Sequence, residues 1–268
     1  MIGRLLTRLV NGDPADLDVV VVCNGCSDAT ATVAGAFPGV RVVQTPVPSK
    51  AEALRLGDLV APGFPRVYVD ADVEIDQDAI LRLAKTLIDG PFLAASPARV
   101  IPKAGVAWPV RWYYTVWEEL PQVRGGIFGR GVIALSEAGY QRIRTLPALM
   151  SDDLAMSAAF SATERCVEEA ALVVVHPPRT WNDLIRRRVR AATGTAQAYT
   201  GDHGLRTDAR TSRTDLIEMC RRRPGLLLRM PVFVAVAVLA RRRARRALRQ
   251  GDFGTWLRDE SSRDGPAS

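Results

Sequence analysis

Residues 18–23 (DVVVVC) constrain the fold of this chain more strongly than any other segment. A run of apolar, β-branched residues is typical of a strand buried on both faces, as in a parallel sheet covered by helices. Asn24 and Gly25 follow as a turn, and a helical pattern with a cap at Ser27 or Asp28 comes next. The segment therefore predicts a strand that runs through a tight turn into a helix.

The same alternation of strand and helix patterns continues to residue 100. Residues 40–43 and 66–72 are predicted strands, and the helix between them opens on the capping box of residues 49–52. A helix preceded by Asp76 and a strand at residues 92–100 complete the series. This βαβ pattern predicts an α/β fold with a mostly parallel sheet flanked by helices.

Composition divides the chain into three parts, with a C-terminal helical extension after the α/β pattern. Residues 1–200 form the predicted α/β domain, residues 201–215 a polar linker and residues 216–268 a basic helical extension. The extension contains an apolar stretch, but Arg229 and Pro231 interrupt it, and a membrane span needs about 20 apolar residues. We expect either a helix docked on the domain with a solvated arginine face, or a peripheral contact with an anionic membrane surface.

The formal net charge of +7 favours polyanions, nucleotides or an anionic membrane as partners. The arginines cluster in two helical segments without a recognisable nucleic-acid motif, so we expect no nucleic-acid partner. The N-terminal residues do not match a secretory signal, and four cysteines in a chain of this length do not suggest a disulfide framework. We expect a cytoplasmic protein, peripheral on the inner face of the membrane if the extension binds there.

Cys23 and Cys26 enclose the first turn in a CxxC motif. A structural zinc needs about four ligands, but Cys166, Cys220 and the two histidines supply no second pair at metal spacing. A thioredoxin-like dithiol is the alternative. We interpret the two cysteines as small residues that flank a tight turn.

Asp70 and Asp72 end the predicted strand that contains VYV. Ligands of open parallel sheets bind at the carboxyl ends of strands, and alternation sends both side chains to the same side. Two carboxylates about 4 Å apart repel by roughly 4 kcal/mol at an effective dielectric constant near 20, and Mg²⁺ or Mn²⁺ removes this repulsion. We predict a metal site at Asp72 and Asp70, with two solvated aspartates as the alternative.

Four motifs in this order, DLDVVVVCNGCSDAT, SKAEALRLG, VYVDADVEI and SDDLAM, resemble the family 2 glycosyltransferases with a GT-A fold. The resemblance covers roughly residues 1–200. It implies a nucleotide-sugar donor whose diphosphate is bound by the metal at Asp70 and Asp72. It also implies that Asn24 and its neighbours, Asp28 among them, contact the nucleoside and that Lys50 lies near the nucleotide.

The acidic pair of the last motif implies the catalytic base of that family. Sugar transfer needs a base for the acceptor hydroxyl, and we predict Asp153 in this role with Asp152 orienting it. The alternative is a helix start, with Ser151 as the cap and two acids favoured by the helix dipole. The resemblance implies a single displacement with inversion. It leaves the acceptor open among a glycan, a lipid and a small molecule.

A basic helix near residue 187 is the next candidate. Its Arg187 and Arg190 either bind the diphosphate bidentately or belong to a solvated helix face. Many relatives carry a Gln-x-x-Arg-Trp motif near this point, which this chain lacks. The aromatic segment 108–120 is either an acceptor surface or the packed face of a core helix.

The resemblance also implies a strand ahead of the helical pattern at residues 2–10, beside the strand that ends in Asp70. We expect an upstream segment to supply it and Met1 not to be the natural start, because unpaired backbone groups inside a sheet are costly. Two other functions remain. VYVDADV and SDDLA also resemble a haloacid-dehalogenase-type phosphohydrolase, although Glu74 stands where Thr or Val is usual. A non-catalytic scaffold at a membrane surface is the third.

Overall fold

A computed structural model describes residues 1–11, 16–61, 63–144, 156–200 and 211–249. The strands in these ranges are β1 (Val20–Asn24), β2 (Arg41–Thr45), β3 (Arg66–Val69), β4 (Val73–Glu74), β5 (Ala94–Val100), β6 (Val132–Leu135) and β7 (Arg165–Val175). The helices with labels here are α1 (Ile2–Leu9), α2 (Thr30–Gly35), α3 (Lys50–Val60), α4 (Gln77–Asp89), α5 (Trp108–Trp117), α6 (Pro121–Gly125), α7 (Glu137–Ile143), α8 (Trp181–Thr200), α9 (Arg213–Arg222) and α10 (Met230–Arg249). A 3₁₀ turn at Pro224–Leu226 connects the last two helices.

The strands of the described ranges form two sheets. β1 and β2 pair in parallel, and the other sheet has the order β3-β6-β5-β7-β4. Its longest pairing, β5 with β7, is parallel, whereas β3–β6, β5–β6 and β4–β7 are antiparallel. The predicted α/β fold is confirmed, and the two longest pairings are parallel. The antiparallel pairings involve β4 and β6, and β6 is antiparallel to β5 although α5 and α6 connect these two strands.

β1 and β3 each pair with a single strand in the described part of the chain. They therefore lie at the ends of their sheets, where one row of backbone groups is open to a further strand. The additional strand expected beside Asp70 stays a prediction.

Capping side chains fix where the helices nearest the strand ends begin. The Ser49 hydroxyl accepts a hydrogen bond from the Glu52 amide at the start of α3, and Asp76 caps α4 in the same way. The Asp28 carboxylate accepts from the amide two residues further on, where α2 begins. The Ser49 cap was predicted from the sequence, and each of these hydrogen bonds satisfies an amide that has no partner inside the helix. At α2 the N-cap position is Ala29, which makes no side-chain cap, rather than the predicted Ser27 or Asp28.

One core lies between the five-stranded sheet and two helices. α4 buries Ile80 and Leu83 on this sheet, and α1 adds Leu5 and Leu9 to the same cluster. Full burial of one such side chain contributes about 1.5–3 kcal/mol. The amphipathic pattern at the start of the chain is therefore a helix that belongs to the core.

A separate apolar core joins the aromatic helix to the C-terminal helices. Tyr113 of α5 stacks on Phe233 of α10, with ring centroids 5.3 Å apart, and α8 contributes Leu184 and Ile185. α5 therefore packs mainly as a core helix, although its first residue, Trp108, is 55% exposed. The C-terminal helix docks on the domain as one alternative predicted. Within the described residues, no helix has the length and apolar character needed to cross a membrane.

Candidate functional site

The carboxyl end of β3 carries two of the predicted site residues. The Asp70 amide donates to the Gly131 carbonyl at 2.7 Å, just beyond the ladder between β3 and β6. The Asp70 side chain is 45% exposed, and Asp72, in the tight turn that leads into β4, is also exposed. Both carboxylates are therefore accessible to a ligand at the end of a sheet strand.

Lys50 lies directly across from Asp70. Its ammonium is 3.0 Å from the Asp70 carboxylate, and the lysine side chain is 44% exposed. An ion pair with this much exposure contributes only about 0–1 kcal/mol, so a bound ligand can replace it at little cost. Lys50 is also the first residue of α3, where the helix dipole adds partial positive charge.

The turn after β1 lies against the loop that leads into α3. Gly25 has a φ of +62°, and a Cβ there would be 2.8 Å from the Cβ of Pro48. Only glycine accommodates both the left-handed conformation and this close approach. Asn24, the last residue of β1, is thereby held near the loop that presents Lys50.

Asp28 lies beyond this turn and is exposed. Hydrogen bonds from Thr30, its side chain first, lower the pKa of the Asp28 carboxyl. Asp28 therefore accepts a backbone hydrogen bond at the first residue of α2, one position before the N-cap residue Ala29.

The CxxC cysteines differ in their surroundings. Cys23 is 3% exposed, and burial is the main cause of its raised pKa, whereas Cys26 is exposed. Within the described residues, no cluster of three or more His, Cys, Asp or Glu side chains is arranged for a metal. These observations support the interpretation of two small residues at a turn.

The glycine-rich loop of residues 124–131 lies against the turn that carries the aspartates. Gly131 has a φ of +67°, and a Cβ there would be 2.4 Å from Val73 Cγ1 and 3.5 Å from the Asp70 carboxylate. The loop thus fits against residues 70–73 because position 131 has no side chain. Its contact fixes the Asp70 backbone through the hydrogen bond described above.

A buried arginine shapes this loop. The Arg130 guanidinium is 3% exposed and donates to the carbonyls of Gly126, Pro97, Val123 and Arg124. Burial lowers the pKa of Arg130 to about 10. Its hydrogen bonds satisfy carbonyls that the irregular backbone leaves without ladder partners. Sequence reasoning missed this role, because an arginine within a glycine-rich stretch looks like a surface residue.

Glu74 belongs to a cluster that sequence reasoning also missed. One carboxylate oxygen is 2.7 Å from His176 Nε2, and the other accepts from Arg8 at 2.8 Å. The hydrogen bond with His176 is the main cause of the lowered Glu74 pKa. Strand alternation could not have revealed this cluster, because β3 ends at Val69 and residues 71 and 72 form a turn before β4.

The arginines of α8 have different environments. Arg187 donates to the His176 carbonyl at 3.1 Å, whereas Arg188 lies over the Tyr113 ring and the exposed Arg186 is 3.6 Å from Asp183. These side chains are therefore not a uniform solvated face. Arg187 is linked, through His176 and Glu74, to the segment that carries Asp72.

Arg190, the other arginine predicted to bind a ligand, is half-buried on α8. Asp152 and Asp153, predicted as the catalytic pair, lie outside the described residues.

The arrangement joins two kinds of ligand chemistry within a small region. Asp70 and Asp72 offer oxygen ligands for a hard cation, while Lys50 offers charge to an anion. Mg²⁺ is commonly bound by one or two carboxylates, with phosphate oxygens and water in the other positions. The donor set fits a divalent cation that is bound together with a diphosphate.

One family of known proteins matches the first half of the chain. The model of glycosyl transferase family 2 matches residues 1–135, which is half of the chain. No curated protein sequence matches the chain at a significant level.

Solved structures resemble the chain in fold. The mannosyltransferase PcManGT from Pyrobaculum calidifontis, in complex with GDP-Man and Mn²⁺, has a TM-score of 0.58 and 19% identity, covering 93% of this chain and 75% of its own. A mycobacterial protein has a TM-score of 0.50 and 19% identity, covering 76% of this chain and 71% of its own. At these identities the likeness shows the fold alone, and the predicted GT-A-like fold is confirmed.

Proposed function

Since the chain belongs to glycosyltransferase family 2, we propose that it transfers a sugar from a nucleotide-diphosphate donor to an acceptor hydroxyl, with Mg²⁺ or Mn²⁺ as its cofactor. The observation that carries the proposal is the position of Asp70, Asp72 and Lys50 together at the carboxyl end of β3. The family match favours the transferase over the phosphohydrolase and the scaffold.

Asp72 and Asp70 are the residues proposed to hold the metal. Asp72 is the principal ligand in this proposal, because Asp70 already forms an ion pair with Lys50. A bound divalent cation would stabilise the negative charge that develops on the departing diphosphate. Two protein carboxylates leave most positions around the cation to the donor and water.

Lys50, Arg187 and Arg190 are proposed to bind the diphosphate. Lys50 can exchange its exposed ion pair with Asp70 for a phosphate oxygen at little cost. Arg187 is held beside the Glu74 cluster, and a guanidinium can bind two phosphate oxygens at once. Asn24 and Asp28 are proposed to contact the nucleoside, and the support is the turn that brings Asn24 towards the start of α3.

Asp153 is proposed as the base and Asp152 as the residue that orients it. The Asp153 carboxylate takes the proton of the acceptor hydroxyl while that oxygen forms a bond to the anomeric carbon. The bond between the anomeric carbon and the diphosphate oxygen breaks, and the nucleoside diphosphate leaves. This single displacement inverts the anomeric configuration. The motif resemblance supports these roles.

The donor and the location complete the proposal. GDP-mannose is the first donor to test, because the mannosyltransferase of similar fold was solved with GDP-Man and Mn²⁺. The acceptor is a hydroxyl of a glycan, a lipid or a small molecule. We place the protein in the cytoplasm, peripheral at the inner face of the membrane, and the support is the basic character of its C-terminal helices.

Release of nucleoside diphosphate from GDP-mannose, UDP-sugars and dTDP-sugars, measured with and without Mn²⁺, tests the proposed function. Slow Mn²⁺-dependent release from at least one donor is expected even without the natural acceptor, because water can replace the hydroxyl. Release of inorganic phosphate from a simple phosphoester, without turnover of any nucleotide sugar, would reject the transferase in favour of a hydrolase.

A further inference from the structure

The C-terminal helices present a surface that the nucleotide-sugar site does not use. α10 buries Phe233, Val236, Ala240 and Ala244 in the core that it shares with α5 and α8. The opposite side of α10, with the turn that precedes it, is exposed within the described residues. We call this surface the outer face, and it comprises Leu227, Leu228, Val234, Val238, Arg241, Arg242 and Arg245.

The N-terminal part of the outer face is apolar. Leu227 and Leu228 are 59% and 71% exposed, although the adjacent Leu226 is buried. Val234 and Val238, one helical turn apart, are 44% and 39% exposed and extend the apolar surface along α10. Single exposed apolar residues are ordinary on protein surfaces, but four exposed branched side chains within twelve residues of the chain favour an interaction site.

The same face ends in arginines. Arg241, Arg242 and Arg245 follow Val238 at the i+3, i+4 and i+7 positions, which places them on one side of the helix, and all three are exposed. No Asp or Glu occurs in the sequence between residues 219 and 249. In the described part of the chain, none of these three arginines forms an ion pair.

Further arginines precede the turn that contains Leu227 and Leu228, which we call the leucine turn. Arg221, Arg222 and Arg223 end α9 just before the turn and are exposed, and Arg222 and Arg223 pair with Glu218 and Glu119. The two exposed leucines are therefore flanked by guanidinium groups in sequence. Cationic side chains beside an exposed apolar turn are suited to a surface whose outer layer is anionic and whose inner layer is apolar.

We propose that the outer face is a docking surface for an anionic lipid bilayer. A helix rises 1.5 Å per residue, so Val234 to Arg245 extends about 17 Å along α10 and can lie flat on a membrane. The leucine turn would enter the boundary between headgroups and acyl chains, and the arginines would bind lipid phosphates. A soluble acidic partner would match the arginines but would leave Leu227 and Leu228 without an apolar phase.

The proposal concerns a surface separate from the nucleotide-sugar site and does not depend on the proposed transferase activity. Docking would hold the protein at a membrane surface, where it would meet its acceptor. Loss of docking would leave the turnover of the nucleotide sugar unchanged.

Co-sedimentation of the full chain with vesicles tests the docking surface. The vesicles contain phosphatidylcholine alone or with roughly a third phosphatidylglycerol, since anionic lipid is what attracts a basic surface. Binding to the anionic vesicles is expected at about 0.1 M salt and should be largely lost at about 1 M, where the screening length falls from about 10 Å to about 3 Å. No binding at the lower salt, or equal binding to neutral vesicles, would overturn the proposal.

The arginine part is tested by the double variant Arg242→Glu/Arg245→Glu. Loss of two surface arginines is expected to weaken partitioning to anionic vesicles about 25-fold or more. The control Arg55→Glu/Lys85→Glu makes the same change in net charge on α3 and α4, at side chains that are 58% and 78% exposed. An equal loss in the control would show attraction by overall charge alone and would contradict a specific surface.

The leucine part is tested by Leu227→Gln/Leu228→Gln, which is expected to weaken partitioning about tenfold through lost apolar burial. Leu59→Gln/Ile88→Gln is the matched control, because those side chains are 70% and 68% exposed elsewhere. Circular dichroism verifies that each variant is folded. Wild-type binding by the leucine variant would overturn the insertion. The proposal would also be overturned if the wild type formed a dimer and bound no vesicles, and if the leucine variant were a monomer. The outer face would then be an interface with a second copy of the chain.

Discussion

The carboxylates of residues 70–74 fall into two regions with opposite character. At the end of β3, Asp72 is exposed and Asp70 contacts a lysine that is itself nearly half exposed. In β4, the Glu74 carboxylate is only 28% exposed and both of its oxygens are engaged by His176 and Arg8. A carboxylate whose oxygens are occupied by protein donors holds strands together, whereas an open pair keeps its oxygens available for a cation. We call Asp70 and Asp72 the open pair and Glu74 with its partners the closed cluster.

The largest expected effect is that of Asp72→Asn in the open pair. Loss of this carboxylate should lower metal-dependent turnover of the nucleotide sugar by about 100-fold or more, because stabilisation of the leaving group is lost. Steady-state kinetics at saturating Mn²⁺ measures it. Asp78→Asn, at an exposed aspartate in the first turn of α4, is the matched control and should retain full turnover. Similar rates for the two variants would remove Asp72 from the metal site.

Gly131→Ala tests the contact between the glycine-rich loop and the open pair. The new Cβ would meet Val73 Cγ1 at 2.4 Å in a backbone conformation with positive φ, and we expect a loss of about 2–3 kcal/mol in the free energy of unfolding. Gly105→Ala has the same φ of +67° but no atom within 4 Å of the new Cβ. Its loss should be about 1 kcal/mol. Equal losses in urea denaturation would mean that the loop does not pack on residues 70–73 as described.

Lys50→Met separates charge at the open pair from stability. Removal of a charged hydrogen-bond donor should weaken binding of a nucleoside diphosphate about tenfold. The melting temperature should barely change, because the exposed ion pair with Asp70 contributes little. Arg55→Met, at a 58% exposed cation on the same helix, serves as the control. If both variants bind the nucleotide equally well, Lys50 does not contact the diphosphate.

Glu74→Gln is directed at the closed cluster and should act on stability. The pKa of Glu74 is lowered in the folded protein, so its ionised form stabilises the fold above the unfolded-state pKa of about 4.3. We expect a loss of about 1 kcal/mol at pH 7, which shrinks as the pH falls through the lowered folded-state pKa. Turnover should change much less than in Asp72→Asn.

Thermal unfolding of Glu74→Gln and wild type at pH 7 and at decreasing pH measures this difference. Glu218→Gln is the control, because Glu218 is 62% exposed in a comparable ion pair with Arg222 and should lose less than about 0.5 kcal/mol. A constant difference between Glu74→Gln and wild type across this pH range would contradict the linkage.

Local signals in the sequence were sufficient for the elements on either side of the open pair. The valine run and the Ser49 cap each depend on neighbouring residues only, and both are present in the structure. The strand predicted over residues 66–72 is shorter, because β3 ends at Val69 and Asp72 lies in the turn that follows, so strand alternation does not relate the two aspartates. The family resemblance implied only that Lys50 lies near the nucleotide, whereas its ion pair with Asp70 is seen in the structure.

The closed cluster could not be predicted in the same way. Glu74 and His176 meet because two residues of β4 pair with the end of β7, about a hundred positions along the chain. Nothing local to either residue encodes that register. The Arg130 network is similar, since its acceptors are carbonyls whose orientation depends on the folded loop. The antiparallel orientation of β6 also depends on tertiary structure, because its four apolar residues are compatible with either strand direction.

Titration calorimetry of wild type and Asp72→Asn with UDP, GDP and dTDP, each with and without Mn²⁺, tests the open pair most directly. The account predicts that at least one nucleoside diphosphate binds wild type about tenfold or more tightly when Mn²⁺ is present, and that Asp72→Asn loses this difference. Mn²⁺-independent binding of every nucleotide, or an unchanged Mn²⁺ effect in Asp72→Asn, would contradict the metal site at the end of β3.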